Sequence, residues 1–260
     1  MLCGEARHVT RAKTVLIDLS VLRRGVFTHE AQIERRIRWA NRDLVSRIAA
    51  WQPKPLPHDP WLRQQVECLP TIVRMTHEGA LVPYTYSELE FEEMRASRGM
   101  ANTFGDLFLD VEIKKCQAAV NRPRFRQNID FDYYLKKEEL LEFCDFLLNL
   151  PEPLLPRARE FWAKLPASEQ TNLTQLGRFK SLCRHLARTH YPDAFHLWTA
   201  EANGLDFFLM IDKKFVNALR NCHELDFRCR AVSPEQLLNA LGVTERDQYP
   251  YTESGPRTYY

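Results

Sequence analysis

Four acids stand where this chain could use them for chemistry. Asp18 closes the hydrophobic run Thr14, Val15, Leu16, Ile17, and Asp212 closes the run from Phe207 to Ile211. Glu88 follows Ser87, a residue suited to cap a helix, and Asp193 follows Pro192, a residue suited to its first turn. Carboxylates brought together from remote segments repel unless a cation sits among them. Oxygen ligands with water in the remaining positions suit Mg²⁺ or Mn²⁺, and metal ions so held orient and acidify water for phosphodiester hydrolysis. Each acid also has a plain structural use. Asp18 could cap or pair with an arginine, Glu88 and Asp193 could serve the helix dipole, and Asp212 could start a turn.

The elements that must position these acids follow from the hydrophobic pattern. Residues 14–20 read as a β-branched and aliphatic strand. Leu81 to Tyr86 reads as a short extended segment before a helix over residues 88–97, whose first turns also hold Glu90, Glu92 and Glu93. Pro192 and Asp193 open a helix that Asn203-Gly204 closes. Residues 207–211 read as a strand buried on both faces, followed by Lys213, Lys214 and a short helix over 215–219. Phe227 to Val232 is a last strand, and Ser233-Pro234-Glu235-Gln236 is a capping-box start for a helix over 237–241. Open α/β sheets bind ligands beyond the carboxyl ends of their strands, where Asp18 and Asp212 would stand.

Elsewhere the pattern is mainly helical. Ile33, Ile37, Ala40, Leu44 and Ile48 predict a helix within residues 29–50, with Arg35, Arg36, Arg38 and Arg42 between them. That face is either simply solvated or a phosphate-contacting surface anchored by Trp39. Pro53, Pro55, Pro57 and Pro60 mark a stiff connector. Apolar spacing predicts helices over 104–120 and 136–150 within a helical insertion spanning 99–189. The Asp130-x-Asp132 pair reads as a polar edge, with a metal role as the alternative, and the tail over 244–260 as a flexible segment.

Composition sets outer bounds. The chain has 260 residues, 45% hydrophobic and 27% charged, which predicts a globular protein with a full core. A net charge of +2 gives no general attraction to nucleic acid and leaves any such role to local patches. The 7 cysteines are scattered without a Cys-x-x-Cys pair, which argues against a disulfide framework or a zinc ribbon. Neither a signal-peptide run nor a bilayer-length apolar segment is present, so the reading is a cytoplasmic protein with no membrane role.

On these residues the sequence resembles the PIN-domain (PilT N-terminus-like) nucleases, a family that includes the ribonuclease toxins of toxin-antitoxin pairs. Val15 to Ser20 resembles the first strand, Tyr86 to Leu89 the acidic helix start, Asp193 onward through Asp212 the third and fourth acids, and Val232 to Glu235 the closing strand and helix. The resemblance implies a three-layer α/β/α fold with a mainly parallel sheet, its core built from residues 1–98 and 190–243. It implies a metal-dependent endoribonuclease in which Asp18, Glu88, Asp193 and Asp212 hold Mg²⁺ or Mn²⁺ and Ser20 is a supporting hydroxyl. Arg35, Arg38, Arg42, Lys213 and Lys214 would then hold the RNA backbone. Two departures stand out: Met210 occupies a position where family members often have Ser or Thr, and the spacings between the acids are long. The alternative is a PIN-like scaffold, weakly active or inactive, that binds RNA or a protein partner. An antitoxin-like partner and a homodimer both stay open. A phosphatase using Asp18 as nucleophile fits less well, because Ser20 stands where that chemistry wants a second aspartate.

Overall fold

The computed structural model describes residues 11–26, 28–40, 42–54, 56–97, 107–126, 136–150, 162–220, 222 and 225–248. Five strands form one sheet in which every pairing is parallel: β1 (Lys13–Ile17), β4 (Leu81–Thr85), β5 (Lys114–Lys115), β6 (Phe207–Leu209) and β7 (Arg230–Val232). Their spatial order is β5-β4-β1-β6-β7. From β1 the chain proceeds toward β4, whereas from β6 it proceeds the opposite way to β7. The carboxyl ends of β1 and β6 therefore flank the point where strand order reverses, and a crevice opens there because the connecting helices part in opposite directions.

Period-two alternation splits the core into two layers. Val15, Ile17, Phe207 and Leu209 pack on one face with Leu22, Leu69, Ile72 and Leu237. These come from α1 (Leu19–Arg24), α3 (Leu69–His77) and α11 (Pro234–Ala240), with α2 (Pro60–Glu67) alongside. Leu16 and Phe208 point to the other face and join Leu89, Phe143, Phe179, Phe195 and Phe215. The helices there are α4 (Ser87–Ser97), α6 (Lys137–Asn149), α8 (Leu176–Cys183), α9 (Tyr191–Ala202) and α10 (Lys213–Arg220). The result is an α/β fold with helices on both faces of a parallel sheet. Between these elements lie α5 (Arg122–Arg126) and α7 (Ala167–Thr174). The capping box is in place: the Ser233 side chain and the Gln236 backbone and side chain bond reciprocally at the start of α11.

Two expectations of helix are overturned. Residues 29–50 do not form a helix but an antiparallel hairpin, β2 (Thr28–Trp39) with β3 (Arg42–Pro53), in the register Trp39↔Arg42 through Thr28↔Pro53. Ala40 turns the chain with φ 47°. The apolar spacing of four in Ile33/Ile37 and Leu44/Ile48 satisfies a strand as well as a helix, since an interval of four returns to the same face of either, and β-branched content favours the strand. Arg35, Ile37, Trp39, Arg42 and Leu44 thus share one face of the hairpin, while Arg36 and Arg38 lie on the other. The second overturned helix is 104–120. Its described part, from residue 107, holds a turn over 107–110 and the edge strand β5, whose two lysines carry no hydrophobic signal. Within the segment 99–189, β5 extends the sheet and α6 and α8 supply buried residues to the same cluster as α9. Asp130, Asp132 and the tail beyond residue 248 lie outside the described residues.

Candidate functional site

Asp18 leaves β1 and caps α1, its Oδ2 accepting from the Ser20 backbone N–H at 2.8 Å. Ser20 in turn uses its hydroxyl oxygen to accept from the Ile211 N–H at 3.0 Å, tying α1 to the end of the segment that follows β6. Asp212 caps α10, its Oδ1 accepting from the backbone N–H groups of Lys214 and Phe215 at 2.8 and 3.0 Å. Capping occupies one named oxygen of each aspartate, so each has a second oxygen that the cap does not use. Asp193 stands in the first turn of α9, where its charge is favoured by the helix dipole, and meets His190 Nδ1 at 3.2 Å.

These residues gather into two triads. Asp18, Glu92 and His196 offer ligand atoms within 4.8 Å of one another, and so do His190, Asp193 and Asp212. Asp193 links them electrostatically, since its carboxyl feels His196, Asp18 and Asp212. Three of the four acids singled out in the sequence, Asp18, Asp193 and Asp212, therefore share one region.

Glu88 does not join them. Its carboxylate is gripped by Arg122 through contacts of 2.8 to 3.1 Å, with both side chains almost fully buried. Burial pushes the Glu88 carboxyl above its usual range and the guanidinium pulls it back. The acid that reaches the site is Glu92, one helical turn further along α4, whose Oε1 lies 3.4 Å from His196 Nε2. The spacing of four between Glu88 and Glu92 is the signal that could have found it, because such residues share a helix face. His196 stands out in the sequence by its place one helical turn beyond Asp193, where it reads as packing or support for the acids, and His190 precedes Asp193 by the same interval.

The electrostatics follow from burial and crowding. Burial raises the Asp193 carboxyl to about 6, helped by Asp18 and Asp212 and opposed by His196 and His190. Burial also raises Asp18, with Glu92 adding to the effect and His196 and Ser20 opposing it. His196 works the other way. Burial disfavours its charge, yet Glu92, Asp18 and Asp193 together push it up to about 9. As an imidazolium it donates from Nε2 toward Glu92 and from Nδ1 to the Tyr86 hydroxyl oxygen at 2.5 Å. Glu92 is half-buried, and its bond to His196 holds it below its usual range against the loss of water contact.

The remaining predicted residues are spread out. Lys213 and Lys214 directly follow Asp212 and are exposed at the start of α10. Arg35, Arg38 and Arg42 are exposed on the hairpin, with Trp39 71% exposed near its turn. Met210 is buried in the core beside Phe208.

The chain matches no family model, no curated protein and no solved structure. Among the described residues no helix is long and apolar enough to cross a membrane.

The donor set fits a hard or borderline divalent ion. Carboxylate oxygens suit Mg²⁺ and Mn²⁺ equally, whereas the imidazoles of His190 and His196 favour the transition metal. Of the two triads, that of His190, Asp193 and Asp212 fits a cation better. In the other, the His196 imidazolium already supplies positive charge to Asp18 and Glu92.

Proposed function

We propose that this protein is a metal-dependent endoribonuclease of PIN-like type, in which His190, Asp193 and Asp212 hold the ion, Asp18 supports them through its coupling to Asp193, and Glu92 takes the place expected of Glu88. The observation that carries this reading is the meeting of His190, Asp193 and Asp212 ligand atoms within 4.8 Å of one another, with Asp193 coupled to Asp18 beyond the carboxyl end of β1 and raised to about 6. Such crowding is costly without a bound cation. A divalent ion at this place supplies polarisation of a phosphate oxygen and a water acidic enough to attack it. The chain supplies the rest. Ser20 locks the Asp18 cap against the backbone at Ile211, so the two strand ends keep their spacing. Glu92 holds His196 oriented, with a proton at Nε2. Lys213 and Lys214 flank the acids with positive charge suited to the RNA backbone.

The test is cleavage of a single-stranded RNA by the purified protein with Mn²⁺, with Mg²⁺ and with EDTA. Cleavage should require the metal and disappear in Asp18→Asn and Asp193→Asn proteins that melt cooperatively. Undiminished cleavage in EDTA or in both variants rejects the reading. One observation favours a second reading, a scaffold that binds RNA or a protein partner without cutting it: His196 already provides Asp18 and Glu92 with an internal counter-charge. Calorimetry with Mn²⁺ separates the two, because the scaffold has no need of divalent-ion affinity.

A further inference from the structure

Beside the acidic crevice lies a cavity of about 590 Å³ whose wall combines Ser20, Arg23 and Arg24 of α1, Asp59 and Trp61 at the start of α2, and Lys213 of α10. Its volume is in the range of small-molecule sites. We infer that this cavity is a nucleotide pocket that takes one unstacked base on Trp61 and its phosphate on Arg23, Arg24 and Lys213, and so selects single-stranded RNA. This inference rests on the nuclease reading for the identity of the strand.

The chemistry of the wall points this way. Trp61 is half-buried, and the Lys213 ammonium lies 5.6 Å from its ring centroid, so an aromatic face and a cation adjoin as the base and phosphate of one nucleotide do. Asp59 is the acid of the wall, but its Oδ1 is engaged by the Leu62 N–H at 2.6 Å as the cap of α2. The three basic side chains are exposed, as backbone contacts require. The cavity is also joined to the acids. Ser20 belongs to both through its backbone bond to Asp18, Lys213 adjoins Asp212, and Glu92 feels the charge of Arg23. A strand seated here would thus run past the crevice. A base within a duplex is already stacked on its neighbours and could reach Trp61 only by leaving them.

Fluorescence anisotropy with a labelled mixed-sequence RNA, single-stranded or fully paired, in EDTA, tests this without cleavage. Trp61→Ala should weaken single-strand binding about five- to hundredfold, with little effect on duplex binding, and Trp61→Phe should largely restore it. Arg24→Gln should flatten the salt dependence by about 0.7. A Trp61→Ala dissociation constant unchanged for the single strand, or lost equally for both RNA forms, overturns the pocket. The two readings fail separately. Mn²⁺-dependent cleavage with Trp61-independent binding rejects the pocket alone, while Trp61-dependent binding without cleavage rejects the nuclease alone.

Discussion

Replacing Asp193 by Asn should make the metal-free protein more stable at neutral pH. The Asp193 carboxyl titrates at about 6 in the fold against an ordinary value of 3.8. A folded value above the unfolded one means that the native state holds this proton more tightly. The associated stability is complete below pH 3.8 and is lost as pH rises through about 6. The gap corresponds to ~3 kcal/mol at neutral pH, an upper figure because the side chain keeps some solvent contact. Asn mimics the protonated, neutral form and does not pay this cost. The variant should therefore exceed the wild type by up to ~3 kcal/mol at pH 7.5 and match it near pH 4. Loss of the bond to His190 and of one of the three acids that sustain the His196 charge will trim the gain. A bound ion should largely cancel the difference, since Mn²⁺ at a hundredfold excess over its dissociation constant adds ~2.7 kcal/mol to a protein that binds it. Urea denaturation of both proteins at pH 4.5, 6 and 7.5, in EDTA and in Mn²⁺, reads all of this. A stability difference that stays constant across pH, or equal stabilisation of both proteins by Mn²⁺, would refute the reasoning.

Further outcomes separate the other groups. Glu88→Gln should cost ~3–5 kcal/mol of stability by leaving the Arg122 guanidinium buried against a neutral partner, with Mn²⁺ affinity unchanged in calorimetry. Glu92→Gln should do the opposite, lowering Mn²⁺ affinity about tenfold or more and removing the largest support for the His196 charge, visible as a shift of that imidazole's NMR titration midpoint to lower pH. If the hairpin arginines contact RNA phosphates, the triple change Arg35→Gln, Arg38→Gln, Arg42→Gln should flatten the salt dependence of single-strand binding by about 2. Trp39→Ser, at an exposed position, should shift unfolding by no more than ~0.5 kcal/mol in a urea titration.

Much of the sheet was legible before any coordinates. The apolar runs at Val15 to Ile17 and Phe207 to Ile211 each carry enough hydrophobic side chains to specify a buried strand, and both lead to an aspartate beyond the carboxyl end of the sheet. The Ser233 capping box was legible because its bonds are local. The hairpin was not, because a spacing of four residues fits both periodicities and nothing local decides between them. Strand β5 escaped because two lysines on an edge strand bury nothing.

Sequence alone determined that strands would form around β1 and β6, with Asp18 directly after the first and Asp212 three residues past the second, since hydrophobic period and capping chemistry act over a few residues. Only the tertiary structure decided which glutamate of α4 faces the crevice. Arg122, 34 positions from Glu88, claims that carboxylate in the buried interior and leaves Glu92 to meet Asp18 and His196. Burial and the company of other charges set the proton affinities of Asp193 and His196, and both are properties of the assembled fold rather than of any stretch of chain.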